Sequence, residues 1–466
     1  MTRTPLDSGQ RALAVGLVLS VTLVAFETTA VLTALPTITD ELDGLPLYGA
    51  TIAAYMLADL VALVWAGEWA DRYGVRRPFI VCIAMFVSGL IVAGSANSMM
   101  LVLVGRLLQG AGSGGFAPLS YTAVRRAFPE DRQGMMYAYL SAGWVLPSLL
   151  APAIAGIVTD RFGWRWVFIG IIPLALLVAL LTARAMARMA IPDHGAVHRQ
   201  TRLPRAIQAA AGIGLVAAGL SSDSVVLAVV ASITGVALAA PALRGLLPPG
   251  VFRASRGLAA IVAVRFLATA TFLGVDSFIP LAADRVHDAR PIVQGLVIAG
   301  ASLAWTAGQA IAARRGARLA PRRAVRIGFS LLLIGIVCVA PVLSPDWPLQ
   351  LTFIAWSIGG LGIGLLFNPT TVGAMSYAVD GREGEISSQI HLADSLGFGL
   401  MSVVGGATVA LSDRTALTLQ GALGTNFALA ALCAITGLVA SRGVRNRDPG
   451  ESDLSVARSI AASDTI

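Results

Sequence analysis

The chain has 466 residues, 56% of them apolar and 13% charged, with a formal net charge of +8 and a mean hydropathy of +0.76. Soluble globular domains carry roughly 25% charged residues, so this composition excludes an ordinary soluble domain and places the chain in lipid. Its apolar stretches run to about 20 residues, long enough to cross a hydrocarbon core of ~30 Å as helices, and lack the short alternating segments of an outer-membrane barrel.

A hydropathy window of about 19 residues predicts fourteen spans. They lie near residues 12–35, 48–69, 78–97, 100–121, 134–158, 166–186, 206–222, 224–243, 257–282, 291–313, 324–343, 349–377, 387–411 and 422–440. Residues 1–11 form a short polar N-terminus. The apolar run that follows is too long and too poorly punctuated to be a removable signal peptide, so it reads as the first span. That span carries Glu27, in Phe26-Glu27-Thr28-Thr29. A membrane carboxylate that takes a proton from one face and gives it to the other is a simple coupling device.

The second span carries Asp59 about twelve residues in, near the middle of the bilayer. It serves either as a substrate or proton site or as a cap on a polar network. The loop that follows reads Gly67-Glu68-Trp69-Ala70-Asp71-Arg72-Tyr73-Gly74-Val75-Arg76-Arg77. Glycine permits a tight turn there, and a carboxylate beside helix N-termini and arginines can latch one conformation and release another. The plainer reading is a basic cytoplasmic loop.

In the fourth span Arg106 stands ~10 Å below the outer surface, at 1.5 Å per residue. A guanidinium at that depth is costly and needs a partner. Glu27 lies at a similar depth from the same side, and the two are predicted to pair, either as a static prop or as a proton-titrated couple. Gln109, Gly110, Gly112, Gly114 and Pro118 follow. The twelfth span repeats the pattern with Gly360, Gly362, Gly364 and Pro369, which predicts either two repeated halves or generic close packing. The fifth span carries Pro147, Pro152 and Gly156, which let it bend and pack against its counterpart in the other half.

In the second half, Arg265 and Asp276 fall in the ninth span and His391 and Asp394 in the thirteenth. Arg265 and Asp394 lie at similar depths from the cytoplasmic side and are predicted to form a buried pair. His391 is either a proton relay near neutral pH or an interfacial polar residue. Cys82, Cys338 and Cys433 are scattered through apolar spans without metal-ligand spacing, so neither a disulfide framework nor a metal site is expected.

All 34 basic residues are arginine. With the N-terminus inside, only Arg161, Arg165, Arg285, Arg290 and Arg414 face outside, and Arg106 and Arg265 fall within spans. The remaining arginines are cytoplasmic, so both termini are cytoplasmic and the high pI of 10.1 calls for no nucleic-acid partner. The predicted plan is a six-helix bundle over 12–186, a linker over 187–205, two additional spans over 206–243, a second linker over 244–256, a second six-helix bundle over 257–440, and a polar, disordered tail over 441–466.

The loop at 67–77 resembles the signature loop of the major facilitator superfamily, G-x-x-x-D-R-x-G-x-R-R, at every fixed position. Arg106 to Gly114 resembles that family's R-x-x-Q-G-x-G-x-G. Glu27 to Pro36 is similar to its first-helix pattern, an acid followed by T-x-x-x-x-A-L-P, with Glu in place of the usual Asp. Residues 143–156 match the antiporter motif G-x-x-x-G-P-x-x-G-G only loosely, because Ala151 replaces the glycine before Pro152 and Gly156 comes late. Asp59 departs from the family, whose residue there is small or hydroxylated. The six, two, six layout resembles the fourteen-helix drug:proton antiporter branch.

The resemblance implies an all-α membrane protein of the major-facilitator two-bundle fold, in the cell membrane of a bacterium, rocking around a midplane cavity. It implies proton-coupled efflux of small amphipathic compounds, with Glu27 and Arg106 as the coupling pair. Asp59 and Asp276 then line the cavity or its outer mouth, and Gly67, Asp71, Arg72, Gly74, Arg76 and Arg77 form the gating loop. A lipid or metabolite transporter of the same fold, or a non-transporting sensor or scaffold, are the alternatives. No cofactor is expected, because no G-x-x-x-x-G-K-[ST] segment occurs. An enzyme is disfavoured, since no nucleophile–base cluster is evident.

Overall fold

A computed structural model describes residues 7–129, 132–133, 135–136, 139–140, 143, 145–187, 189, 202–220, 222, 224–315, 319–377, 383–412 and 417–445, with residues 71, 145, 146, 148, 149, 225 and 383–385 described in their backbone alone. Among these residues every regular element is helical. The first half comprises α1 (Ser8–Glu41), α2 (Tyr48–Tyr73), α3 (Arg76–Gly94), α4 (Met99–Ser113), α5 (Phe116–Ala127), α6 (Val145–Phe162), α7 (Arg165–Ile169) and α8 (Ile172–Met186). Then come α9 (Leu203–Leu220) and α10 (Val225–Leu246). The second half comprises α11 (Leu258–Asp276), α12 (Ile279–His287), α13 (Pro291–Arg315), α14 (Pro321–Val339), α15 (Gln350–Met375), α16 (Glu383–Ser412) and α17 (Leu419–Ala440).

Twelve helical segments of the described residues are long and apolar enough to cross a membrane. The two expected spans outside that set are near 100–121 and 134–158. The first runs as α4 and α5, joined through Gly114 and Gly115, which keep right-handed helical backbone angles while the hydrogen-bond ladder is interrupted. Pro118 has no N–H to give the Gly114 carbonyl, so the ladder lapses there. The second is seen as α6, part of its predicted range lying outside the described residues. The ninth span likewise divides between α11 and α12, with Pro280 in the first turn of α12. The tail beyond Arg445 and most of the 187–205 linker lie outside the described residues.

The glycine pattern has a geometric meaning. A Cβ on Gly110 would stand 2.2 Å from the Tyr55 carbonyl oxygen, and one on Gly114 would stand 2.2 Å from that of Asp59. Gly112 faces the other way, 2.4 Å from the Cys82 carbonyl oxygen. So α4 is pressed between α2 and α3 with backbone against backbone, which only glycine allows. The second half repeats this. Gly360 and Gly364 meet the carbonyls of Ala301 and Trp305 on α13 at 2.1 and 2.2 Å, and Gly362 meets that of Gly328 on α14 at 2.6 Å.

The halves join reciprocally, α2 against α16 and α6 against α13. At the first seam a Cβ on Gly49 would stand 2.3 Å from Gly406 Cα; at the second, one on Gly295 would stand 2.1 Å from the Pro152 carbonyl oxygen and one on Gly156 would stand 2.6 Å from that of Pro291. Pro152 and Gly156 thus sit where α6 crosses its counterpart half. The inserted α9 packs over the α2–α16 seam through Ala206, Ala209 and Ile213 against Leu57, Leu60 and Leu396. The outer face of α10, with Val226, Ile233 and Val236, is exposed.

Adding a methyl at these contacts overpacks a helix crossing, at about 1–3 kcal/mol. Gly110→Ala and Gly360→Ala should each lower the midpoint of thermal unfolding in detergent. Gly67→Ala, whose Cβ would meet nothing within 4 Å, should leave it unchanged or raise it slightly.

Candidate functional site

Glu27 on α1 and Arg106 on α4 are brought together as an ion pair, through Arg106 Nη1 and Glu27 Oε1. Glu27 is 0% exposed and Arg106 3%, so this pair is shielded from bulk water and its Coulomb energy is weakly screened. The same Nη1 donates to Gln109 Oε1 at 2.7 Å, and the guanidinium lies over the Tyr55 ring, 4.1 Å from its centroid. Thr28 Oγ1 donates to the Tyr55 hydroxyl at 3.4 Å. Three side chains, Glu27, Gln109 and Tyr55, therefore surround one cation. Satisfaction is incomplete: Glu27 Oε2, Arg106 Nε and Gln109 Nε2 have no hydrogen-bond partner among the described residues.

One turn further along α2 from Tyr55, Asp59 accepts from Ser113 Oγ at 3.3 Å and from Ser395 Oγ at 3.5 Å. Ser395 belongs to the second half, so Asp59 reaches across the α2–α16 seam. Its neighbour Asp394 pairs with Arg265, as the matched depths predict. Arg265 Nε donates to Asp394 Oδ1 at 2.9 Å, Nη2 pairs with Oδ2, and Nη1 donates to the Phe367 carbonyl at 3.1 Å and to Thr371 Oγ1 at 3.0 Å. The guanidinium also stacks 3.3 Å from the Phe367 ring centroid. This fork is fully engaged, unlike that of Arg106. His391 stands one turn before Asp394, half-buried, with no hydrogen-bond partner among the described residues.

Asp276 does not join Asp59. It accepts from Trp356 Nε1 at 2.7 Å, within an aromatic group in which Phe272 stacks on Trp356 at 5.2 Å and meets Trp305 edge-on at 5.1 Å. The glycine register pairs Asp59 with Trp305 and Arg106 with Trp356 between the two halves. One half thus holds charges where the other holds indoles.

The loop after α2 turns at Gly74, whose φ of +82° lies in the region glycine favours. Arg72, Arg76 and Arg77 are exposed, and Asp71 bears the side chain of this loop that lies outside the described residues. Within the same segment Glu68 accepts from the backbone N–H groups of Arg202 and Leu203 at 2.6 and 3.3 Å. It anchors the start of α9, where a carboxylate meets the positive end of the helix dipole.

A further group, not singled out by the sequence, ties the halves at the opposite end of the bundle. Arg285 pairs with Asp40, Arg290 with Asp160, and the Tyr48 hydroxyl donates to the Ser277 carbonyl at 2.8 Å. Within the first half, Glu41 accepts from Trp164 Nε1 at 2.8 Å and from Arg165 at 2.5 Å.

A two-bundle helical fold with a paired first-helix acid and fourth-helix arginine is matched by a family model described as Major Facilitator Superfamily, over residues 17–398. The chain belongs to the Major Facilitator Superfamily. It is therefore a multi-pass membrane transporter by family. A probable multidrug-efflux transporter of Mycobacterium tuberculosis is 25% identical over 96% of this chain and 99% of its own length. Multidrug resistance protein 3 of Bacillus subtilis is 30% identical over 38% of this chain, an alignment that spans 34% of that relative. Among solved structures, an auto-inhibited POT family peptide transporter superposes with a TM-score of 0.66 at 16% identity, over 94% of this chain and 98% of that one. A D-xylose–proton symporter superposes with a TM-score of 0.64 at 12% identity, over 94% and 99%. These two likenesses concern the fold.

Removing one member of a buried pair strands the other, at a cost of about 3–5 kcal/mol, whereas removing both costs less. Arg265→Met and Asp394→Asn should each destabilise the purified protein to chemical unfolding, and the double variant should lose less than the sum. Additive losses would show that the two charges do not depend on each other.

Proposed function

We propose that this chain is a proton-coupled exporter of small amphipathic compounds that works by alternating access in the cell membrane of a bacterium, with both termini in the cytoplasm. The observation that carries the reading is the state of Glu27. It is fully buried on the first helix, one oxygen engaged by Arg106 and the other without a partner among the described residues. A structural ion pair is normally satisfied on all its polar atoms. A carboxylate that must gain and lose a proton needs an open oxygen and a partner it can release.

In this reading, a proton on Glu27 removes the charge that holds Arg106. The guanidinium then relies on Gln109 and the Tyr55 face, and the relation of α1 to α4 changes. Because α4 lies backbone to backbone on α2, the change reaches Asp59 and the seam with α16. The ties at Asp40, Asp160 and Tyr48 close the outer end of the bundle here, and the Arg72–Arg77 loop gates the cytoplasmic end. Asp59 and Asp276 supply acidic contacts for cationic groups, and the neighbouring indoles supply apolar surface. The names of the mycobacterial and Bacillus relatives point to the same substrate class. A flippase requires a cavity open sideways to lipid, and α9 covers the α2–α16 seam.

The test uses everted vesicles holding a respiration-generated pH gradient, to which a panel of cationic amphiphiles is added. The wild type should release protons with a subset of compounds, and Glu27→Gln, present at equal abundance, should not. Silence with every compound would contradict drug:proton exchange. A response in Glu27→Gln equal to wild type would remove Glu27 from coupling.

A further inference from the structure

Outside the polar centre, the chain forms a groove of about 410 Å³ between α14 and α17, at the arginine-rich end of the bundle. Arg322, Arg326 and Ser330 line it from α14 at positions i, i+4 and i+8, one stripe of one helix face. From the other side come Ile435, Leu438 and Val439 of α17, with Arg442 just past its end. All three arginines are exposed, and none has a carboxylate within ion-pair distance among the described residues. Neither α14 nor α17 contains a single Asp or Glu.

The groove is graded along its length. The guanidinium groups stand at its mouth, where α14 begins and α17 ends. Its deeper wall is aliphatic and continuous with exposed apolar side chains such as Ile435 and Val439, which are 50% and 55% exposed. A membrane helix presenting such residues outward faces acyl chains. A cation cluster at the interface end of an apolar groove between two membrane helices matches an anionic phospholipid. Arginine forks bind phosphate oxygens bidentately, and one acyl chain covers the aliphatic wall. Free phosphate uses only the mouth, and a zwitterionic lipid brings a cation to three cations.

We infer that the α14–α17 groove binds one anionic phospholipid of the inner leaflet, its phosphate held by Arg322, Arg326 and Arg442 and a chain laid along Ile435 and Val439. The site is peripheral to the transport path and stands independently of the substrate. It requires only that the arginine-rich end face the cytoplasmic leaflet.

Native mass spectrometry of the full-length protein in detergent, titrated with phosphatidylglycerol, phosphatidylcholine or inorganic phosphate, tests it. The wild type should retain one phosphatidylglycerol with marked preference over phosphatidylcholine, and excess phosphate should fail to displace it. The variant R322Q/R326Q/R442Q should bind phosphatidylglycerol on the order of a hundredfold more weakly. A control of equal charge change at exposed sites elsewhere, R244Q/R253Q/R256Q, should not. Val439→Trp, which fills the aliphatic wall and keeps the arginines, should also lose the lipid. Equal retention of the two lipids, displacement by phosphate, or equal loss in the two triple variants would overturn the assignment.

Discussion

A guanidinium inside a helical bundle has no water to solvate it, so the structure around it must supply its partners. Arg106 is that group here, and much of the first half is arranged by its needs. Glu27 fixes the rotation of α1 towards α4, Gln109 continues the same face of α4 one turn on, and Tyr55 sets α2 beneath the guanidinium plane. This arrangement is possible because Gly110 and Gly114 let α2 come within backbone contact of α4. The glycines and the arginine are therefore one device: small residues bring the helices close, and closeness gives the charge its partners.

The second half uses the same scaffold for a different purpose. Gly360, Gly362 and Gly364 repeat the close approach, but indoles stand where Asp59 and Arg106 stand in the first half. Its own cation, Arg265, is moved to α11 and fully engaged by Asp394, Thr371 and Phe367. A satisfied fork has little reason to change state, whereas a pair with open atoms on both members has one. The two halves are thus alike in packing and unlike in chemistry.

The helical plan, the Glu27–Arg106 pair and the Arg265–Asp394 pair were legible in the sequence because a membrane makes charge rare: two opposite charges at equal depth have few alternatives. The glycine repeat was legible for a related reason, since only close packing accounts for its spacing. Other features left no comparable mark. Tyr55 is one aromatic residue in an apolar span, and nothing in its neighbourhood distinguishes a cation-π platform from core. The pairs at Asp40 and Asp160 join helix ends far apart in sequence, where charges are common and partners are chosen by the fold. The partner of Asp276, the Trp356 indole, is one aromatic residue in an apolar span and is likewise unmarked in the sequence. The division of α4 from α5 depended on a lost backbone hydrogen bond at Pro118, which hydropathy does not register.

In the proposed mechanism the charge on Glu27 governs the balance between the closed and open forms of the outer end. Spin labels at Asn97 and Asp346, both exposed and on loops of opposite halves at that end, report it by pulsed electron paramagnetic resonance in lipid nanodiscs. The wild type should redistribute between a shorter and a longer distance as pH is changed, and Glu27→Gln should show one distribution at every pH. A pH response in Glu27→Gln identical to that of the wild type would contradict the account.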